Sequence, residues 1–504
     1  PSRARLRPLF RLTCMLGFLD CGLICSYLSL ALLVLIVVYI AWQAQARKLR
    51  KVITLNESLA PIDGVMEVVI VGAGPSGSTA AYFLAQQKRR VALLERKAFP
   101  RNKLCGDAWC APALDILEEM DVLQQMQKDG VCRPVTRGGF VSPFGYSCIN
   151  TDGSAYGSVT GCRTFAIKRM IADEYLARAA QKAGASLEEN AEVVISAVAR
   201  GADGIWTVPC KDGRTFRAQF LIVADGSTSY LAQHLGLIPA GEQPQATCSN
   251  QYVEGGTHGW TSADGVMMFN RATLPGYSAL FRHYNDDMYL GTYILPGGRA
   301  NSRTIVPFEQ ELVKLHPYVR EAFGDKSKFR QSVKVAPLRL GGLPKSHGDG
   351  FIVIGDAAGQ VDPLTGEGIH TAMIAAKIGA QVVGEMLQGG DVSERSTAAY
   401  HWRVWDAFGY EFKYSSWAAR LIVLFPVALD AVCVVGARRG QPFLDEFGEI
   451  MTGVKPKSSF CRPGLLFPII GELVRQVFIQ HVLRRTPLVP PELGRAALQK
   501  SKAE

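Results

Sequence analysis

Hydrophobic positions along this chain change their pattern several times. The first pattern is an unbroken apolar run. From Cys21 to Trp42 the sequence reads CGLICSYLSLALLVLIVVYIAW, without one charge. As a helix these 22 residues reach roughly 30 Å, the thickness of a bilayer's hydrocarbon core. Tyr39 and Trp42 stand where an interfacial aromatic belt belongs. A secretory signal has a shorter apolar centre and a small-residue cleavage site, so the run predicts a retained, single-pass N-terminal anchor. Arg3, Arg5, Arg7 and Arg11 precede it and Arg47, Lys48, Arg50 and Lys51 follow it. That balance leaves its orientation open. The expected location is the endoplasmic reticulum or an organelle membrane, mitochondrion and plastid included. Asn56-Glu57-Ser58 forms a glycosylation triplet, a pattern common by chance.

The next pattern is a short, wholly apolar strand followed by helical spacing. Glu67-Val68-Val69-Ile70-Val71 reads as a buried strand and runs into Gly72-Ala73-Gly74-Pro75-Ser76-Gly77. A helix former, Thr79 to Ala85, follows, and then a second strand, Arg90 to Leu94, ending in Glu95. Strand, glycine-rich turn, helix, strand and acid together make a dinucleotide fingerprint. Gly72 permits the tight turn, Gly74 lets backbone approach a pyrophosphate, and Gly77 lets helix and strand pack. The helix N-terminus offers free N–H groups to phosphate. Glu95, 18 residues past Gly77, is placed to bind ribose hydroxyls.

A second strand–turn–helix unit lies far along the chain. Gly350 to Ile354 predicts a strand, Gly355-Asp356-Ala357-Ala358-Gly359 a turn, and Gly366-Glu367-Gly368-Ile369 the start of an Ala-rich helix through Ala380. Asp356 would accept from a ribityl hydroxyl. A helix N-terminus at Gly366, Gly368 and Ile369 would stabilise negative charge on a reduced flavin's pyrimidine ring. A nicotinamide enzyme needs no such second unit, so the expected dinucleotide is FAD. Between the two units, Phe220 to Val223 predicts a further strand ending near Asp225-Gly226. That dipeptide reads equally as a plain turn or as a cofactor contact.

Composition narrows the class. The 504 residues are 48% hydrophobic and 20% charged, which excludes disordered, collagen-like and coiled-coil chains. The net charge of +10 is dispersed, suiting anionic membranes or phosphorylated ligands rather than nucleic acid. Twelve cysteines without CxxC pairs or a zinc spacing predict free thiols in a reducing compartment and no metal site.

The segments GAGPSGSTAA, ERKAFPRNKLCGD, VADGS and GDAAGQVDPLTGEGIHTAM resemble the geranylgeranyl reductase family of flavoproteins, which share the p-hydroxybenzoate hydroxylase-like fold. The resemblance runs from about Val65 to Leu387. Lys103-Leu104-Cys105-Gly106-Asp107 is its most discriminating stretch. Arg169, Asp173 and Leu176 resemble the family's R-x-x-x-D-x-x-L helix, whose arginine lies near FAD. The resemblance implies an α/β, Rossmann-type FAD-binding domain interleaved with an antiparallel-sheet substrate domain. It implies reduction of isoprenoid double bonds, with NADPH or another donor recharging the flavin. It places Pro75, Ser76, Arg96, Cys105, Gly106, Asp107, Arg169, Asp225 and Gly226 around the cofactor with the fingerprint residues. An isolated alkene accepts hydride poorly, so a well-placed acid is required. Cys105 is one candidate. Tyr293 is another, on the strand that carries the family's aromatic substrate pattern; of that pattern Gly291 to Pro296 keeps only the proline. Two rivals remain: a flavin monooxygenase, which shares the nucleotide motifs, and a flavin-bearing structural subunit of a membrane complex, which this departure permits. Nothing in the chain singles out a protein partner.

From Pro239 to Arg339 short apolar runs alternate with turns, which predicts an antiparallel sheet. His258, Trp260 and Tyr277 are candidate pocket residues in it. Past Gln388 the pattern is helical. Trp417 to Val435 is apolar but holds Arg420, Pro426 and Asp430, which is no clean membrane span. It and Gly464 to Ile470 suit helices lying in a membrane surface. The expected plan is an anchor and linker over 1–64, an FAD-binding domain over 65–238 with a substrate-domain insertion around 131–165, a substrate domain over 239–339, the last FAD-binding part over 340–390, and a helical region over 391–504.

Overall fold

Met66–Val71 (MEVVIV) and Val91–Leu94 (VALL) form strands because Val68–Val71 and all of the second run are apolar and buried, with both faces covered. They pair in parallel, with Val69 opposite Ala92. On its other side Val69 pairs with Leu221 of Thr215–Val223, again in parallel. The parallel order across this sheet is Phe351–Val353, Thr215–Val223, Met66–Val71, Val91–Leu94, Ser186–Glu188. Chain order thus reverses beside Met66–Val71. In open parallel sheets that switch point, at the strands' carboxyl ends, is where ligands bind. The computed structural model describes residues 62–150, 164–254, 264–323, 328–329, 332–485, 493–495 and 498–499. All of them belong to the compact unit Leu55–Glu504.

The helix Pro75–Gln86 covers one face of the sheet, between Arg169–Ala183 and Ile369–Gly389. Small residues make this packing close: Ala80, Ala81, Ala372, Ala375 and Ala376 are fully or nearly fully buried. The opposite face is sealed by Val69, Val71, Val208, Leu221, Val223 and Leu231.

A second sheet carries Ala246–Glu254, Gly265–Met268, Tyr277–Arg282 and Met288–Ile294. It is antiparallel as expected, apart from Gly265–Met268, which pairs in parallel with Gly138–Val141. Ser147–Asn150 extends the same sheet. The alternating reading of 239–339 missed two helices, Ile305–Leu315 and Pro317–Phe323, which bury Phe308, Leu312 and Val319 against the sheet. Their apolar positions are spaced for a helix, but turn residues on both sides obscure them.

The C-terminal region is helical. Its apolar stretch breaks at Pro426 between Tyr410–Leu424 and Val427–Arg439; the longer helical run Glu394–Leu424 meets Val427–Arg439 at 104°. Among the described residues no single helix is long and apolar enough to cross a membrane. The expected anchor, the glycosylation triplet, His258 and Trp260 lie outside the described residues.

Candidate active site

Each parallel strand ends in a segment that faces one cavity. Val71 leads to Gly72 and Gly74, Leu94 to Glu95, Val223 to Asp225, and Val353 to Asp356. Gly72, Gly74, Glu95, Asp225 and Asp356 all line a cavity of about 450 Å³. At its start the backbone turns at Gly72, with φ of +107°, a region that favours glycine. A Cβ on Gly72 would overlap the Ala224 carbonyl, and one on Gly77 would overlap the Gly72 carbonyl. Gly77 therefore packs behind the cavity and does not line it. Gly74 is different: an added Cβ would meet only Arg169 Nη2, at 4.0 Å. It borders open space.

Two helices aim uncapped N-termini at this space. Pro75–Gln86 starts after Gly74, and Ile369–Gly389 starts after Gly368, neither with a side-chain cap. Their first N–H groups have no side-chain cap, and such groups suit a bound anion. Gly366 lies beside the second start, with φ of +68°, and a Cβ there would come 2.6 Å from Tyr293 Cζ. Gly355 lies behind the cavity against Ser76.

Asp356 Oδ2 accepts from Ser227 Oγ at 3.1 Å. Asp225 is committed locally: its carboxylate accepts from Ser229 Oγ at 2.5 Å and Leu231 N at 3.2 Å. Burial still pushes its pKa up to about 6. Of the two sequence readings of Asp225-Gly226, the carboxylate thus follows the structural one, although both residues border the cavity. Asp107, with φ of +56°, is likewise engaged. One oxygen accepts from the Arg169 backbone N–H at 3.2 Å and the other from the Tyr252 hydroxyl. It ties the Cys105–Asp107 loop to the Arg169 helix and to the second sheet.

Arg169 binds Asp173 through two hydrogen bonds, at 2.6 and 2.9 Å. Arg101 reaches the same carboxylate at 2.9 Å, Glu95 Oε2 at 2.8 Å and the Ala73 carbonyl at 3.1 Å. Arg101 was not singled out from sequence, although it lies in the ERKAFPRNKLCGD segment. It joins the fingerprint loop, the second-strand acid and the Arg169 helix. Arg96 is exposed at the rim. Cys105 is half-buried on the wall; burial raises its thiol pKa against the opposing pull of Arg169.

These motifs, brought together from both ends of the described chain, make an FAD site, and the comparisons agree. The FAD binding domain family matches residues 65–402. The chain is 37% identical over 430 residues to conditioned medium factor receptor 1 of Dictyostelium discoideum, covering 82% of this chain and 83% of that one. It is 29% identical over 384 residues to digeranylgeranylglycerophospholipid reductase of Methanocaldococcus jannaschii, covering 72% and 88%. A geranylgeranyl bacteriochlorophyll reductase-like protein of Thermoplasma acidophilum shares the fold, with a TM-score of 0.65 at 18% identity over 82% of this chain and 99% of that one. The chain belongs to the geranylgeranyl reductase-like, FAD-dependent oxidoreductases.

The flavoprotein's cavity continues past the dinucleotide motifs to the second sheet. There Met267, Ala279, Phe281, Tyr289 and Cys248 form a largely apolar wall. Tyr277 and Tyr293 meet edge to face at 5.7 Å. The Tyr277 hydroxyl donates to the Thr365 carbonyl at 2.5 Å, whereas the buried Tyr293 hydroxyl has no partner among the described residues. Burial pushes both phenols well above their ordinary range.

A polar cluster that was not expected sits beside them. Glu367 lines the cavity, and its Oε1 accepts from the Cys110 thiol at 3.4 Å. Its Oε2 is buried without a hydrogen-bond partner, 3.7 Å from His370 Nδ1. Burial, with the Asp362 carboxylate nearby, pushes Glu367 up to about 7, against the pull of Lys457 and the Cys110 thiol. Burial opposes ionisation of Asp362 too, but Lys457 at 2.8 Å and the Ser415 hydroxyl at 2.7 Å outweigh it and hold that carboxyl below its usual range. Burial lowers His370 to about 4, so it is neutral at pH 7. The only sequence signal for this cluster was an acid standing between two helix-start glycines.

Proposed function

We propose that this flavoprotein reduces carbon–carbon double bonds of an isoprenoid lipid. One observation carries the reading: a single cavity joins two uncapped helix N-termini, suited to FAD, to an apolar sheet wall suited to a hydrocarbon chain. Relatives named as digeranylgeranylglycerophospholipid reductases support the substrate class.

When bound and reduced, FAD supplies hydride. The chain's own groups do the rest. The helix start at Gly74, Pro75 and Ser76 holds the pyrophosphate, with backbone N–H groups donated by Gly74 and Ser76 because Pro75 has none. Glu95, steadied by Arg101, takes ribose hydroxyls, and Asp356 takes a ribityl hydroxyl. The start of Ile369–Gly389 faces the flavin's pyrimidine edge, where its dipole favours negative charge. Cys105 and Arg169 close one side of the ring site. Met267, Ala279 and Phe281 orient the lipid chain and exclude water. NADPH is the proposed source of electrons.

The protein works at a membrane, held by the apolar segment 21–42. Leu421, Leu424, Phe425, Phe467 and Val474, each more than half exposed on C-terminal segments, support contact with lipid there.

The test is anaerobic turnover. The holoprotein is reduced with dithionite and mixed with digeranylgeranyl phospholipid. Flavin reoxidation, with two hydrogens gained per bond by mass spectrometry, is the expected result. A hydroxylated product formed only with oxygen uptake would replace this reading with a monooxygenase.

A further inference from the structure

Among the acids lining the cavity, most are committed elsewhere. Glu95 pairs with Arg101, Asp107 with the Arg169 backbone and Tyr252, Glu192 with Lys211, and Asp225 with Ser229 and Leu231. Asp356 accepts from Ser227. Glu367 is the lining acid with a carboxyl oxygen that is both buried and without a hydrogen-bond partner among the described residues. A carboxylate in that state is costly, because an unpaired buried charge loses its hydration without compensation. The neutral acid is the form this environment selects, and a neutral acid holds a proton to give.

We propose that Glu367 is the acid that protonates the alkene carbon next to the one receiving hydride, a role that rests on the lipid-reductase reading above. The balance is simple. The C=C π pair takes the Glu367 proton, so one C–H bond forms as the carboxyl O–H bond breaks. The neighbouring carbon takes hydride supplied by bound reduced flavin, whose two electrons are thereby spent. The carboxylate regains its proton from water.

Chemistry favours Glu367 over its neighbours. An alkene is a very weak base and needs the stronger acid. A carboxyl has an ordinary pKa of ~4.3, against ~8.5 for a thiol and ~10 for a phenol. Burial raises the Cys105 thiol and both cavity tyrosines further, which weakens them as donors. The Tyr277 hydroxyl is already spent on Thr365. Around Glu367 stand Cys110, His370, Asp362, Lys457 and Tyr277. Cys110 holds one oxygen from the strand Ala108–Cys110, and His370 lies on the next helical turn. Asp362 is paired with Lys457, which holds its carboxyl below the usual range. The group free to change state near neutrality is therefore Glu367 itself. With its pKa near 7 it is protonated below that value and loses the proton above it. The protonation step should therefore slow as pH rises through about 7.

The experiment compares wild type, Glu367→Gln and Glu367→Asp as holoproteins. Infrared difference spectra titrated between about pH 5 and 9 should show a protonated-carboxyl band in wild type that Glu367→Gln lacks. Dithionite-reduced flavin mixed anaerobically with digeranylgeranyl phospholipid should reoxidise at least ~100-fold more slowly in Glu367→Gln, at unchanged flavin content. Glu367→Asp should recover part of the rate, with the alkaline limb moved. If Glu367→Gln matches wild type in rate and pH profile, or no Glu367-dependent carboxyl titrates near neutrality, the assignment of the acid is overturned while the reductase reading stands. If wild type itself does not reoxidise on the lipid, the reductase reading fails instead.

Discussion

Asp173→Asn tests the electrostatic joint behind the cofactor site. Asp173 is fully buried and receives three charge-assisted hydrogen bonds, at 2.6 and 2.9 Å from Arg169 and 2.9 Å from Arg101. The two arginine side chains are only 7% and 9% exposed, so water cannot replace the lost charge. Breaking a buried ion pair by removing one partner costs about 3–5 kcal/mol. Asparagine keeps the volume and one acceptor oxygen, which can still take one of the three bonds. The expected loss is therefore at the low end, about 3 kcal/mol, or more than a hundredfold in the folding equilibrium. Asp173→Ala, which keeps no acceptor, should cost about 5 kcal/mol. Urea unfolding of the FAD-free protein measures both, because without FAD the result cannot be a shift in cofactor affinity. Arg101 also binds the Ala73 carbonyl, so hydrogen exchange in the fingerprint loop should rise in the same variants. A loss below about 1 kcal/mol, the range of a solvated surface pair, would refute the claim that this joint is dry and holds the two arginines in place.

Three further outcomes follow from the same geometry. Gly74→Val should leave folding intact, since the residue has φ of −80° and its Cβ meets open space, but should yield colourless protein; a normal flavin spectrum after purification would remove Gly74 from the pyrophosphate site. Gly366→Ala places a Cβ 2.6 Å from Tyr293 Cζ at φ of +68°; it should lower stability by about 2 kcal/mol and weaken FAD binding, read by flavin fluorescence, and wild-type affinity would contradict the contact. Glu309 is buried, with one oxygen taken by Ser249 and the other without a hydrogen-bond partner among the described residues; burial raises its pKa from 4.5 to about 7 against the pull of Ser249 and Thr292. The folded state thus holds a proton that the unfolded state has lost, so stability should fall as pH rises between about 4.5 and about 7. Glu309→Gln should flatten that slope in urea midpoints, and an unchanged slope would show that Glu309 is not its source.

How much of this could be read from the chain depended on whether a residue's role was local. The strand before Gly72, the turn at Gly72 and the start of the helix at Pro75 are neighbours in sequence, so their spacing alone described one arm of the site. The same holds for Phe351–Val353, Asp356 and Ile369–Gly389. What failed to show was every role set by a partner far along the chain. Asp225 looked equally like a cofactor ligand until its carboxylate was found capping Leu231 and Ser229. Arg101 was one arginine among many until the fold brought Ala73, Glu95 and Asp173 around it. The substrate strand shows the same limit. Gly291 breaks the aromatic pattern of related reductases, yet a Cβ there would overlap the Tyr289 hydroxyl, which donates to the Ser249 carbonyl at 3.2 Å. The glycine is the space that a neighbouring tyrosine, two residues earlier on the same face, requires. A missing aromatic in the pattern therefore does not mean a missing aromatic in the pocket, and the departure carries less weight against a reductase than its letters suggest. Glu367 completes the argument: its position between two glycines marks it as part of a cofactor loop, but only Cys110, more than 250 residues earlier in the chain, and Lys457, beside Asp362, reveal a carboxyl poised to change charge near neutral pH.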